Sequence, residues 1–302
     1  MYAEIWKRIE EIESRMSINE SKYQSTEILE LNRQAGRQAV EISADTLAVL
    51  QQAINIGHLS DGAFDASIEP LISLWDITGQ NPGVPSATPI AEAARHVDLS
   101  LMQIDENRAF LPMEGMGVDL GGVAKGYAAG EAARLLEEAG FCCAILNFGG
   151  DIVTIGEKPD GSDWRIGIQH PAMSRGNLLG AVQIRGSMSV VTSGTYERGF
   201  EQDGIRYHHL LDPKTGFPAQ NGLTSVTVVA ADPTQADALA TAAFVLGPKR
   251  GMDLLTSLPN TEGIFVRADG IIEVSQGLQD RFSLLSDDFV IAGNTPTAPA
   301  SQ

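Results

Sequence analysis

The sequence predicts an α+β fold: a single domain with a mixed, largely antiparallel sheet and flanking helices. Three observations point to it. Helical periodicity fills the N-terminal third. Short β-rich segments then follow one another from Ala144 to Ala230, and a helical pair and a hairpin close the chain. That order suits an α+β domain, whereas a doubly wound parallel sheet would alternate strand and helix throughout. With no internal repeat or low-complexity linker, the domain is set at residues 1–290, and 291–302, small, polar and Pro-containing, is expected to be a disordered tail.

In Ala3–Ser17 the residues Ile5, Trp6, Ile9, Ile12 and Met16 recur at helical spacing. Ser25–Arg33 and Asp45–Ile56 continue as helices, Ser60–Ala66 is a small-residue loop, and Ile68–Trp75 is an apolar helical run. The prolines of Gln80–Pro89 mark a loop before a short helix, Ile90–His96. Gln103–Asp105 and Arg108–Leu111 form a hairpin that leads into Gly117–Leu120, and Ala128–Ala139 is a helix. Strands are expected at Ala144–Asn147, Ile152–Ile155, Trp164–Gln169, Leu178–Ile184, Ser189–Ser193, Tyr207–Leu211 and Thr224–Ala230. Pro233–Phe244 and Lys249–Leu255 are helices, and Gly263–Val266 and Ile271–Val274 pair around Ala268-Asp269-Gly270.

Composition narrows the function. A formal net charge of −18 over 302 residues argues against nucleic-acid binding and leaves no footprint for an anionic membrane. An acidic protein that holds phosphate needs a local positive site or a divalent cation. No stretch approaches the roughly 20 apolar residues of a transmembrane helix. Cys142 and Cys143 are adjacent, which implies no disulfide framework and no zinc spacing, and the run Phe141–Phe148 reads as buried. Met1 leads straight into an amphipathic segment, so the chain as given reads as cytoplasmic, or as exported or lipid-anchored if its native N-terminus was trimmed.

Chemistry concentrates in five segments. In Val118-Asp119-Leu120-Gly121-Gly122-Val123-Ala124-Lys125-Gly126-Tyr127, paired glycines precede a helix and Lys125 follows Asp119 by six residues. Backbone N–H groups, a helix N-terminus and a lysine suit a phosphorylated ligand, although a tight turn with a surface lysine has the same look. Phe64 and Asp65, in Gly62–Ser67, can flank a ring system or simply open a helix. Phe148-Gly149-Gly150-Asp151 ends a strand in a way that admits a ligand or a tight turn. His209 precedes the turn Asp212-Pro213-Lys214-Thr215-Gly216, as a structural or a catalytic histidine. Asp237 and Thr241 share one face of a helix otherwise lined by alanine. This is a partial site for a hard cation such as Mg²⁺, or an acid favoured by the helix dipole.

Six segments together resemble the ApbE-type FAD:protein FMN transferases, or flavin transferases, from about Lys22 to Phe282. They are Asp61–Asp65, Asp119–Tyr127, Asn147–Asp151, Thr192–Arg198, His209–Gly216 and Ala236–Thr241, in family order. The resemblance implies an enzyme that binds FAD and Mg²⁺, moves the FMN half onto a Ser or Thr hydroxyl of a target protein, and releases AMP. The target would be a subunit of a membrane-bound redox complex. Family relatives that split FAD to FMN and AMP give one alternative, and a non-enzymatic FAD-binding protein gives another. By resemblance, Tyr23, Ala63, Phe64, Asp65, Asp119, Lys125 and the backbone of Leu211 line the FAD site. Asp237, Thr241 and the Gly122 carbonyl hold the metal, and His209, with Lys125 and Asp119, serves catalysis. The family usually opens with a strand carrying Met-Gly-Thr, and this chain starts just after that point.

Overall fold

The computed structural model describes residues 1–79 and 82–293, so the expected tail from residue 294 onward lies outside the described residues. The helices are α1 (Tyr2–Met16), α2 (Glu27–Arg33), α3 (Ala44–Leu59), α4 (Glu69–Trp75), α5 (Ala87–Ala94), α6 (Ala124–Glu138), α7 (Pro233–Leu246) and α8 (Pro248–Ser257). The strands are β1 (Val40–Glu41), β2 (Gln103–Asp105), β3 (Arg108–Phe110), β4 (Ala144–Phe148), β5 (Asp151–Ile155), β6 (Trp164–Gln169), β7 (Leu178–Ile184) and β8 (Ser189–Gly194). They continue with β9 (Gly199–Gln202), β10 (Ile205–His208), β11 (Leu223–Ala230), β12 (Glu262–Arg267), β13 (Ile271–Val274), β14 (Phe282–Leu284) and β15 (Val290–Ile291).

The seven-stranded sheet runs β15-β13-β12-β11-β8-β5-β4, antiparallel throughout except for the parallel pair β13/β15. Alternation along its strands supplies two cores. Val191, Val226, Val228 and Phe265 face the helices, against Leu239 and Phe244 of α7. Val190, Val229, Ile264 and Val266 face the small sheet β14-β7-β6, against Ile166, Ile168, Leu179 and Val182. Full burial of each such side chain stabilises the fold by about 2 kcal/mol. No helix among the described residues is long and apolar enough to cross a membrane.

Local chemistry fixes where α7 begins. Pro233 occupies its first turn, and the Asp232 carboxylate accepts from Thr234 N–H at 2.8 Å and Gln235 N–H at 3.3 Å. The alanines of α7 are packed: Ala236, Ala238, Ala240, Ala242 and Ala243 are all buried, and α6 lies close against this helix. A Cβ on Gly126 would lie 2.1 Å from the Pro233 carbonyl oxygen, so the two helices approach only because position 126 is glycine.

The sequence and the structure part in four places. The helix expected at Ala128 starts at Ala124, which brings Lys125 into its first turn. The strand expected over Tyr207–Leu211 ends at His208 and pairs with β9, which carries no strong apolar pattern. Phe141–Phe148 is not buried: β4 is an edge strand, and Phe141 and Ile145 are about half exposed, at 48% and 49%. The sheet also passes the expected domain end at 290, since Ile291 pairs with Ile272 and the Ala292 N–H donates to the Ile272 carbonyl at 2.8 Å.

Candidate active site

The Asp119–Lys125 turn is held from both ends. The Asp119 N–H donates to the Ala66 carbonyl at 2.8 Å, which joins the turn to the loop carrying Phe64. The Asp119 carboxylate accepts the Gly121 N–H at 2.6 Å, and the Leu120 carbonyl receives the first helical N–H groups, from Val123 and Ala124. Helix α6 therefore starts beside α7. Val123 precedes it without a side-chain cap. The cap comes from another helix: Asp237 Oδ2 accepts the Gly126 N–H at 2.9 Å, placing a carboxylate on the positive end of α6.

The other oxygen of Asp237 meets the Lys125 ammonium at 2.7 Å, and Asp151 Oδ2 meets it at 2.9 Å. Both acids are buried, while the lysine side chain is 47% exposed along its length. Burial works against the Lys125 charge, but Asp237 and Asp151 outweigh it and raise its pKa above the ordinary lysine value. Burial pushes the Asp151 carboxyl up, with Lys125 opposing. Across from this group, Gly122 faces Phe64 and Thr241. A Cβ there would lie 3.2 Å from the Phe64 ring and 3.6 Å from the Thr241 hydroxyl. The Thr241 and Ser193 hydroxyls are 3.3 Å apart.

His209 lies just beyond β10. Its N–H and its Nδ1 are each 3.3 Å from the Arg198 carbonyl. A carbonyl only accepts, so Nδ1 carries the proton and Nε2 keeps a free lone pair. Burial, with Arg198, His208 and Lys125 adding to it, lowers the His209 pKa to about 4. Asp119 feels the Arg198 charge, yet burial pushes its carboxyl above the usual range. His208 turns the opposite way. It is buried, with Nε2 3.1 Å from the Ala219 carbonyl and its ring edge-on to Phe244.

Phe64, Gly122, Lys125, Asp237 and Thr241 are thus brought together. The Asp65 carboxylate accepts from the Ser67 N–H, the Ser67 hydroxyl and the Leu99 N–H, and so fastens its own loop. Ala63 is buried beside Phe64. The Leu211 side chain sits in a small core with Leu71, Trp75 and Ile90, while its N–H bonds the His209 carbonyl. Tyr23, on the loop between α1 and α2, lies under the Lys22 ammonium and shares no hydrogen bond or ion pair with the Asp237 group. Three site residues went unassigned from sequence: Asp151, Ser193 and Arg198. Each lies inside a segment singled out for its pattern; the fold turns the Asp151 carboxylate to Lys125 and the Ser193 hydroxyl to Thr241, while the exposed Arg198 meets His209 through its main-chain carbonyl.

A family model described as the ApbE family matches residues 1–265. The chain belongs to the ApbE family. A relative from Klebsiella pneumoniae (strain 342), named FAD:protein FMN transferase, is 35% identical over 289 residues, covering 95% of this chain and 88% of that protein. One of the same name from Treponema pallidum (strain Nichols) is 35% identical over 276 residues, covering 86% of this chain and 76% of that one. The crystal structure of the ApbE protein from Thermotoga maritima superposes with a TM-score of 0.83 at 33% identity, covering 91% of this chain and 89% of that one.

The donor set decides what an ApbE-family chain could hold here. Asp237, Thr241 and the Gly122 carbonyl offer only hard oxygens, which suit Mg²⁺ and not a soft metal. Gly122 and Thr241 already adjoin, and Asp237 stands one turn before Thr241 on α7. Among the described residues no group of three or more His, Cys, Asp or Glu side chains is arranged to hold a metal. A site here therefore needs the hydroxyl and main-chain oxygens. These residues fit the ion.

Proposed function

We propose that this protein transfers the FMN half of FAD to a Ser or Thr hydroxyl of a partner protein and releases AMP, in a Mg²⁺-dependent reaction. The observation that carries the reading is the Lys125 ammonium, set between Asp151 and Asp237 at the N-terminus of α6. The lysine supplies a positive charge beside hydroxyl and main-chain oxygens, and the two acids leave the group one excess negative charge that suits a divalent cation. The relatives named FAD:protein FMN transferase support the same activity. The acceptor proposed, as the family resemblance implies, is a subunit of a membrane-bound redox complex.

The chemistry follows from the groups in place. The acceptor oxygen bonds to the phosphorus of the FMN half, the bond from that phosphorus to the bridging oxygen breaks, and AMP departs with that oxygen. Charge on the phosphate oxygens must be neutralised, and the Lys125 ammonium would share that task. Asp237, Thr241 and the Gly122 carbonyl would hold Mg²⁺, whose contribution when bound is further neutralisation of the diphosphate. The acceptor proton goes to His209 Nε2. Burial keeps that ring neutral, and an anionic diphosphate nearby raises its basicity when it is needed. Phe64, buried beside Gly122, would line the flavin half of the site.

The test is release of AMP from FAD and Mg²⁺, with and without a candidate acceptor protein. Release that requires the acceptor supports the reading. Equal release without it makes water the acceptor and the protein an FAD pyrophosphatase.

A further inference from the structure

We propose that Asp151 is a positioning residue of this site: it keeps the Lys125 ammonium at the diphosphate when a cation takes over Asp237. The inference rests on the transferase reading above.

Three observations carry it. Asp151 is 7% exposed, and its carboxylate meets the lysine at 2.9 Å. A buried acid with such a contact is placed there by its surroundings, and the turn before it is built for that purpose. Gly149 and Gly150 have φ of +73° and +124°, the Asn147 side chain accepts the Gly150 N–H at 2.9 Å, and the Arg175 guanidinium caps the Gly149 carbonyl. The third observation is competition. Lys125 and a metal at Asp237 would claim the same carboxylate, because its other oxygen is committed to the Gly126 N–H.

With two acids and one lysine, the group carries one excess negative charge, which favours a cation. When that cation arrives, Lys125 loses Asp237 and keeps Asp151. Its ammonium is then still paired and still at the α6 N-terminus. With Asp151 neutral, the excess charge is gone and a displaced Lys125 has no second carboxylate. Both effects weaken the cation.

The experiment uses the full chain. Mg²⁺ alone is titrated calorimetrically into the wild type, Asp151→Asn and Asp151→Glu, and FMN transfer is measured for the same proteins. Asp151→Asn is expected to weaken Mg²⁺ by about tenfold, since a charge a few ångströms away is removed. Asp151→Glu, which keeps the charge, is expected to restore most of the affinity. A double-mutant cycle isolates the role in transfer. At saturating Mg²⁺ in a Lys125→Met background, Asp151→Asn is expected to slow transfer by less than about twofold further, because with the cation site filled its remaining role runs through the lysine.

Wild-type Mg²⁺ affinity and rate in Asp151→Asn overturn the inference alone. Equal losses in the Asn and Glu variants, or full additivity in the cycle, also overturn it. A wild type that neither binds Mg²⁺ nor transfers FMN overturns the transferase reading and this inference together.

Discussion

Asp237 serves two partners at once: Lys125 through one carboxylate oxygen at 2.7 Å, and the N-terminus of α6 through the other, at the Gly126 N–H, 2.9 Å away. One residue of α7 thus fixes both the start of α6 and the ammonium beside it. Lys125→Met removes the counter-charge from two buried acids. Transfer is expected to fall by about 10² to 10³, as for loss of a positioned electrostatic group. Stability is expected to fall by about 3 kcal/mol, because buried charge is left unpaired. Added Mg²⁺ should recover part of the lost melting temperature but not the rate.

Gly126→Ala tests how closely α6 and α7 must approach. The added methyl would lie 2.1 Å from the Pro233 carbonyl oxygen and 2.9 Å from the Asp237 Cβ. Backbone must move, at a cost of about 3 kcal/mol. Urea unfolding is expected to show that loss, together with reduced transfer by the protein that remains folded.

His209 sets the acid side of the rate profile. Its pKa lies near 4 in the folded protein, below the ordinary 6.5. The acid limb of kcat/KM for the free enzyme is therefore expected near pH 4 and not near 6.5. The sign for stability follows from the same shift. Above about pH 6.5 the ring is neutral in both states and costs nothing. Between about 6.5 and 4 the unfolded chain binds the proton and the folded one does not, so stability falls as pH falls. His209→Ala is expected to flatten that slope and to slow transfer by about 10² to 10⁴.

His208→Ala separates folding from chemistry at the neighbouring position. His208 is the last residue of β10 and fills the core against Phe244, whereas His209, just past the strand, turns to the Arg198 carbonyl. The substitution is expected to cost about 2 kcal/mol in a melting experiment while transfer per folded molecule stays near normal.

Asp45 ties α1 to the site helix. It accepts from Arg8 at 2.6 and 2.7 Å and from the Tyr127 hydroxyl at 2.7 Å, and it also pairs with Arg15. Arg8 foremost, with Tyr127 and Arg15, holds its pKa down to about 2, against burial. Its contribution is therefore full above the ordinary value near 3.8 and is lost as pH falls toward 2. Asp45→Asn is expected to lose about 2 kcal/mol at neutral pH, with little difference from wild type below pH 2.

The fold class was legible because long periodic segments settle it. Ala3–Ser17 follows helical spacing, Pro233–Phe244 joins a Pro start to an alanine-rich run, and the valines of Thr224–Ala230 are shared between two cores. Short edge elements were not legible. Val40–Glu41 and Gly199–Gln202 owe their strand conformation to partners distant in sequence or across a turn, and carry little pattern of their own. At the site, residue pattern brought out Asp237, Thr241 and Lys125, and the family resemblance added the Gly122 carbonyl. It could not show that Asp65 spends its carboxylate on Ser67 and Leu99, nor that Asp151 points at Lys125. Those are tertiary facts: a turn and a strand pairing decide which way each acid faces.

Intact-mass spectrometry of an acceptor protein, after incubation with FAD and Mg²⁺, tests the central claim most directly. With the wild-type enzyme the acceptor is expected to gain the mass of one esterified FMN at a Ser or Thr, with one AMP per adduct. With Asp237→Ala it is expected to gain none. An unmodified acceptor beside free FMN and AMP, or equal modification by the Asp237→Ala protein, would contradict the account.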